Sequence, residues 1–484
     1  MDSPVLGLAL LNTAAFLLCV TFLVYVGLIM APYLRRQDNP PGCRDEYAWH
    51  YIVPCLDEEP VVAGTVAHLV ADFPEATFWC VDDGSGDGTG AVLARLAEQH
   101  PQVRLVSRRA PEARQGKGAA LNAAWRAIAA SVPPGVDRDK VVVGVLDADA
   151  RLDRWCPDVI CGPAAFGDPE VSAVQIQVRV TCDPDAVLGT DLDRLADGAR
   201  RPTDDPLLVR LQDLEFSGPI AAMQLLRQRA GSVGMGGNGQ FTRLSALDRI
   251  ALEFGTPWHG ALLEDFELGL HLLLTGTRTA YCHDTAVAQA GLTELRPLLR
   301  QRCRWAQGGM QCARYLRAVF CSPQVPLPAA LEIAYYLYVP WSQLLGSVVF
   351  PAAIGLDVWY AVHTAGGAPA WWAAGAWGVL PLALLFGVLP HIVWGPIYRS
   401  RSANPIGRGR AVLLGVANVA YGYVLQAAVW WALARLLRRR RDWQKTSHAA
   451  ADSGSALATV AALPPAAVVP VARRPLPYPT GGAR

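Results

Sequence analysis

Hydrophobic and polar positions divide the chain into territories of different character. Residues 5–34 carry no charged side chain, a run long enough to cross a bilayer with some tilt, and predict an N-terminal transmembrane helix. Met1-Asp2-Ser3-Pro4 lacks the basic residues that open a cleaved leader. Arg35 and Arg36 follow the run at once, which predicts a cytoplasmic location for the next segment. From 45 to 294, short β-rich runs (YAWHYIV, TFWCV, VRLVS, KVVVGVLDAD, VSAVQIQVRV) alternate with helical patterns such as GAVLARLAEQH and GAALNAAWRAIAA. That alternation predicts an α/β domain around a largely parallel sheet, with ligands at the carboxyl ends of its strands. The Asp- and Arg-rich stretch 183–213 reads as a helical or mobile excursion, or simply a solvated loop.

Hydrophobicity returns within 328–437, in blocks at 328–362, 370–397 and 411–437. One span per block gives four spans in all. With the α/β domain inside, four spans leave the arginines at 438–441 outside, against the positive-inside rule. Pro340 and Pro351 mark the first block as the one to be broken or partly interfacial, yet that repair moves the 399–410 arginines outside instead. The denser terminal cluster places the C-terminus in the cytoplasm. Residues 446–484, rich in Ala, Pro and Val, read as a disordered tail.

Composition supports this division. The chain has 484 residues, of which 52% are hydrophobic, too many for a purely soluble enzyme of this size. A formal net charge of +1 implies no broad basic face and no nucleic-acid partner. Eleven cysteines without a CxxC pair argue against a structural zinc site and against a secreted disulfide framework.

Candidate chemistry sits at strand ends. WCVDDGSGDGTG, 79–90, closes an apolar run with Asp82 and Asp83 before a glycine-rich turn. Carboxylates there would repel phosphate, but they suit the N–H edge of a base or ribose hydroxyls; the alternative is a surface turn with solvated acids. The spacing is not GxGxxG, so the dinucleotide fingerprint is not met. VLDADA, 145–150, places Asp147 and Asp149 at another strand end, where a divalent metal bridging to a diphosphate relieves their repulsion; a turn or helix cap is the plainer alternative. GKGAALN, 116–122, offers Lys117 at a helix start to a base, ribose or phosphate. Glu264 and Asp265 open an apolar-periodic helix, as caps or, for Asp265, as a base. In LLRQRCRWAQGGMQCARYL, 298–316, arginines and Trp305 beside apolar residues suit an amphipathic helix, 295–320, at a membrane surface; one arginine and the indole also suit a leaving diphosphate and a sugar face.

Asp82-Asp83-Gly84-Ser85, then Asp147-Ala148-Asp149, then Glu264-Asp265, then Gln301-x-x-Arg304-Trp305, in this order between apolar segments, resembles the membrane-integrated family 2 glycosyltransferases. These include cellulose, hyaluronan, chitin and poly-N-acetylglucosamine synthases and a β-mannosyltransferase group. The resemblance covers about 48–320. It implies a GT-A catalytic domain inserted between transmembrane helices, cytoplasmic in an integral protein of the cell membrane, that inverts the anomeric carbon of a UDP- or GDP-sugar. By the same resemblance Asp82 and Asp83 would contact the nucleoside, Asp147 the nucleotide, and Asp149, with Asp147, a Mg2+ or Mn2+ ion. Asp265, beside Glu264, would be the general base, Gln301 and Arg304 would attend the diphosphate, and Trp305 would pack by the acceptor. Pro54 and Glu58 match family positions on the donor side, and Gly237 and Asn238 on the acceptor side. Leu263 stands where many members have Thr before Glu-Asp.

The implied product is a growing β-linked polysaccharide, with single transfer to a glycolipid as the alternative. A nucleotidyltransferase also wants Asp-x-Asp but needs no Arg/Trp-rich membrane helix. A transporter with a nucleotide-binding domain is disfavoured, because Asp357 is the one acid in the later blocks after Glu332.

Overall fold

The computed structural model describes residues 3–184, 205–363, 367, 369, 384–401 and 406–440. Most of the 183–213 stretch, half of the 370–397 block and the 446–484 tail lie outside the described residues.

Eight strands form one mixed sheet: β1 (Ala48–Cys55), β2 (Thr77–Asp82), β3 (Val103–Ser107), β4 (Val141–Val145), β5 (Arg151–Leu152), β6 (Val171–Thr181), β7 (Gln240–Arg243) and β8 (Arg278–Ala290), in the order β3-β2-β1-β4-β7-β6-β8-β5. The first four pair in parallel, as the alternating pattern predicts. β7 then runs antiparallel to both β4 and β6, and β5 antiparallel to β8, so the sheet is mixed and not largely parallel. The sequence pattern misses β7 and β8 for a physical reason. β8 carries Arg278, His283, Asp284 and Gln289 on a partly exposed strand, which hides its period-two alternation.

Side-chain alternation along β1 feeds two cores. Trp49, Tyr51, Val53 and Cys55 face helices α2 (Glu59–Asp72) and α3 (Thr89–Gln99), meeting Val62, Leu69, Leu93 and Leu96. Ile52 faces the other way, toward α4 (Lys117–Ser131) with Leu121 and Ile128. That second core also takes in Ile29 and Tyr33 from α1 (Ser3–Leu34), so the N-terminal apolar helix is seated on the sheet domain. The Tyr33 hydroxyl donates to the Ser217 carbonyl at 2.8 Å.

Between β6 and β7 lie α5 (Leu207–Glu215), a π-helical turn (Phe216–Ile220) and α6 (Ala221–Ala230). After β7 come α7 (Leu244–Phe254) and α8 (Glu264–Leu274), then β8 and α9 (Leu295–Cys312). The C-terminal part contributes α10 (Leu327–His363), α11 (Trp394–Arg401) and α12 (Arg408–Leu437). α10 runs unbroken through Pro340 and Pro351, so of the two expectations for this block, broken or partly interfacial, the break is not seen. Neighbouring helices support such prolines in apolar surroundings: Tyr335 of α10 stacks on Tyr25 of α1 at 4.0 Å, and Asn12 donates to Asp357 at 3.3 Å. Among the described residues, three helices are long and apolar enough to cross a membrane: Leu10–Leu34, Leu327–His363 and Arg408–Leu437.

Candidate active site

β1, β2 and β4 are parallel, so their carboxyl ends share one edge, and β7 starts at that edge because Gln240 pairs with Val145. The segments just beyond these ends therefore converge. They border a cavity of about 320 Å³. Pro54 and Glu58 reach it from the end of β1, Asp83 from β2, Asp147 and Asp149 from beyond β4, and Gly237 and Asn238 from the turn before β7. Lys117 enters from the start of α4, Glu264 and Asp265 from the start of α8, and Gln301, Arg304 and Trp305 from α9. Asp82 is the one predicted site residue outside this lining. Its Oδ1 accepts from the Ser85 N–H at 2.9 Å, which shapes the glycine-rich turn.

The acids are held by particular partners. Lys117 Nζ donates to Asp147 Oδ1 at 2.6 Å and to the Gly237 carbonyl at 2.7 Å. Asn238 Oδ1 accepts from the Asp147 N–H at 3.2 Å, and Asp149 Oδ2 from the Ala290 N–H at 3.0 Å. Position 237 admits only glycine without rearrangement, since a Cβ there would lie 3.1 Å from Lys117 Nζ and 3.2 Å from Asp265 Oδ2. Asp265 Oδ1 accepts from the Phe266 N–H at 2.7 Å.

Burial sets the proton affinities. It pushes Glu264 up to about 7, reinforced by the Asp265 carboxylate and opposed by Lys117. Asp265 is likewise raised by burial, against the pull of Lys117. Burial works against the charge on Lys117, but Asp147, Glu264 and Asp265 outweigh it and hold the ammonium above its usual range. Arg304 is lowered by burial, partly offset by the same three acids. The site therefore pairs two carboxyls of raised proton affinity with two cations.

Asp147 and Asp149 also bear on a metal. Among the described residues no cluster of three or more His, Cys, Asp or Glu side chains forms an all-protein cage. Two hard carboxylates on one cavity wall fit the kind of Mg2+ or Mn2+ site that takes its remaining ligands from substrate phosphates and water.

Several supporting residues escaped the sequence patterns. Arg108 forms an ion pair with Asp83. Gln175, a polar residue in the apolar run VSAVQIQVRV, clasps the turn before β7: its Oε1 accepts from the Gly236 N–H at 2.7 Å and its Nε2 donates to the Asn238 carbonyl at 2.9 Å. That misplaced polarity was the available signal. Arg302 Nη1 donates to Gln301 Oε1 at 2.8 Å, and the Arg302 guanidinium lies 4.0 Å from the Trp305 ring centre. The same cavity is also lined by apolar and aromatic side chains, Phe216, Ile220, Met223, Met235 and Tyr336, with the Arg227 guanidinium 4.4 Å from the Tyr336 ring centre. No motif marks these residues, because they come from the π-helical turn, α6, a loop and α10.

Residues 49–308 match the family described as glycosyltransferase like family 2. The chain is similar to a beta-monoglucosyldiacylglycerol synthase of Synechocystis, 30% identical over 271 residues, covering 55% of this chain and 48% of that protein. It is also similar to an N-acetylglucosaminyltransferase of Rhizobium meliloti, 25% identical over 311 residues, 61% of this chain and 65% of that protein. The chain thus spans about half the length of the glucosyldiacylglycerol relatives it matches. Among solved structures, mannosyltransferase PcManGT from Pyrobaculum calidifontis, in complex with GDP-Man and Mn2+, aligns with a TM-score of 0.54 at 18% identity. That alignment covers 89% of this chain and 99% of PcManGT, and shows a shared fold. With the family match spanning more than half of its 484 residues, the chain belongs to glycosyltransferase like family 2 and has a GT-A-like fold with a mixed sheet.

Proposed function

We propose that the protein is an inverting hexosyltransferase that moves a sugar from a UDP- or GDP-sugar to a hydroxyl carried by a membrane lipid. One observation carries this reading: a single cavity is lined both by charged residues, Lys117, Asp147, Asp149, Asp265 and Arg304, and by apolar ones, among them Ile220, Met223 and Met235. The relatives named monoglucosyldiacylglycerol synthase support a lipid acceptor over a growing polysaccharide. The apolar helices α1 and α10, with Arg35 and Arg36 directly after α1, support an integral protein of the cell membrane with its sheet domain in the cytoplasm.

In this mechanism Asp83, Pro54 and Glu58 border the nucleoside, with Asp82 shaping the turn that presents Asp83. Lys117, Gln301 and Arg304 face the diphosphate, and the positive charges of Lys117 and Arg304 stabilise it as it leaves. Asp147 and Asp149 would hold a divalent cation, which supplies further charge neutralisation at the diphosphate. Asp265, with Glu264 beside it, takes the proton of the acceptor hydroxyl as that oxygen bonds to the anomeric carbon and the carbon–diphosphate bond breaks. Burial raises the proton affinity of both acids, which favours proton uptake by a base. Gly237 and Asn238 lie beside that base, and Trp305 would pack on the acceptor sugar or head group.

The test is nucleotide release from the membrane-reconstituted protein with UDP- and GDP-sugars, Mg2+ or Mn2+, and diacylglycerol. Release with one donor, reduced by about 10²- to 10⁴-fold in Asp265→Asn while nucleotide binding is kept, is expected. Release unaffected by Asp265→Asn would overturn the assignment of the base.

A further inference from the structure

By length and composition α12 qualifies as a membrane span, yet its contacts do not suit one. Its buried positions, among them Ala411, Leu414, Asn418, Tyr421, Val429 and Arg435, recur at helical spacing from one end to the other. Each third of that stripe rests on the sheet domain or on an element seated there. At the start, α12 packs backbone to backbone with the α11 region: a Cβ on Gly395 would lie 2.1 Å from the Ala411 carbonyl oxygen, and one on Gly415 would lie 2.3 Å from that of Ile392. α11 is itself anchored, since the Tyr398 hydroxyl donates to Asp213 at 2.7 Å and Trp394 lies in the core with Tyr33. In the middle, the Tyr421 hydroxyl donates to Glu215 Oε2 at 2.7 Å, beside Arg302. Near the end, Arg435 Nε donates to Gln307 Oε1 at 2.9 Å, and Gln307 Nε2 donates to the Arg440 carbonyl at 2.6 Å. Gln307 belongs to α9, the helix of Arg304 and Trp305.

Ala411 and Arg435 are about 36 Å apart along the helix axis, more than the roughly 30 Å of a bilayer's hydrocarbon. A crossing helix would carry one of them to the far side, away from a domain that both ends touch. The opposite face of α12 is exposed and apolar, with Val412, Leu413, Val416, Tyr423, Trp430 and Leu437. Arginines flank this face at both ends: Arg408 and Arg410, then Arg438, Arg439 and Arg440. Arg401 Nη2 donates to the Leu34 carbonyl at 3.2 Å, bringing the arginines of α11 to the end of α1, where Arg35 and Arg36 follow.

We propose that α12 lies in the plane of the membrane surface, its apolar face among the acyl chains and its arginine ends on lipid head groups. This rests on the membrane reading given above. It also bears on the conflict in span counting, because Arg35, Arg36, Arg399, Arg401, Arg408, Arg410 and Arg438 to Arg440 then fall on the side of the sheet domain.

The experiment places one epitope in the exposed 133–137 turn, at the sheet edge away from the cavity, and a second at the C-terminus of the full chain. Both are probed with protease in sealed right-side-out and inverted vesicles, with donor turnover confirming the fold. The two epitopes are expected to be cleaved from the same side. Cleavage from opposite sides would overturn the interfacial placement while leaving the membrane reading intact; release of the protein by alkaline washing without detergent would overturn the membrane reading itself.

Discussion

The charged and the apolar residues that line the cavity, termed its charged and apolar ends, are held by different means. The charged end is assembled from short segments at strand ends, and its residues are held by short polar contacts such as Lys117 to Asp147 and Asn238 to the Asp147 N–H. The apolar end is assembled from a π-helical turn, α6 and α10, and is held by packing and by one buried ion pair, Arg227 with Glu332 at 2.9 Å. Chemistry that moves a proton and expels a diphosphate needs charges fixed to fractions of an ångström. A surface that accommodates acyl chains needs only shape and low polarity. Changes at the first end should therefore act on turnover, and changes at the second on stability or acceptor affinity.

Among changes that leave the base in place, removing the cation at the charged end gives the largest effect. Lys117→Met should lower kcat by about 10²- to 10³-fold, the usual consequence of losing one donor to a developing charge. The pH profile sharpens this. Because burial raises both Asp265 and Glu264, the base is lost by protonation as pH falls, so rate should climb with pH through a limb above the ordinary carboxylate range. Lys117 pulls both acids down, so Lys117→Met should move that limb upward; an unmoved limb would break the link between this ammonium and the base.

At the junction with α10, Glu332→Gln leaves Arg227 buried with its charge uncompensated. The pair's side chains are 3% and 4% exposed, and breaking such a pair costs about 3–5 kcal/mol. Thermal unfolding in detergent should report a lower Tm, with nucleotide binding to the remaining folded protein unchanged. Within the apolar lining, Met223→Glu should raise KM for the lipid acceptor about tenfold while leaving donor hydrolysis unchanged, the cost of placing a charge where an acyl chain or its linker rests. A matching loss of donor hydrolysis would merge the two ends that the account separates.

The smallest effect is expected at Arg302, which touches both regimes. Its guanidinium bonds Gln301, Glu215 and Tyr421 and lies over Trp305, so it ties two cavity residues to α12. Arg302→Lys keeps the charge but loses the planar fork. A several-fold drop in kcat/KM is expected, non-additive with Tyr421→Phe; simple additivity would show that the network does not act as a unit.

The same contrast explains what the sequence made legible. The charged end could be read because each of its segments is local: an acid pair at a strand end, Asp-x-Asp after an apolar run, Glu-Asp at a helix start. All but Asp82 line the cavity, and Asp82 differs because the first acid of the pair turns back to accept the Ser85 N–H. The antiparallel β7 and the polar β8 were not legible, since their pairing is set by partners far along the chain. Nor was the apolar lining, to which Phe216 and Tyr336, 120 residues apart, contribute without a shared pattern. The mean hydropathy of α12 suggested a span; only its continuous stripe of contacts, including Tyr421 to Glu215 and Arg435 to Gln307, distinguishes a surface helix from a crossing one.

The central claim, that one cavity serves a nucleotide sugar at one end and a lipid at the other, is tested most directly by sizing the product. The reconstituted protein is supplied with a radiolabelled UDP- or GDP-sugar and diacylglycerol, and the labelled product is resolved by chain length and lipid extraction. The account predicts an organic-soluble lipid bearing a single added sugar; an aqueous polymer of many sugars without a lipid would contradict it.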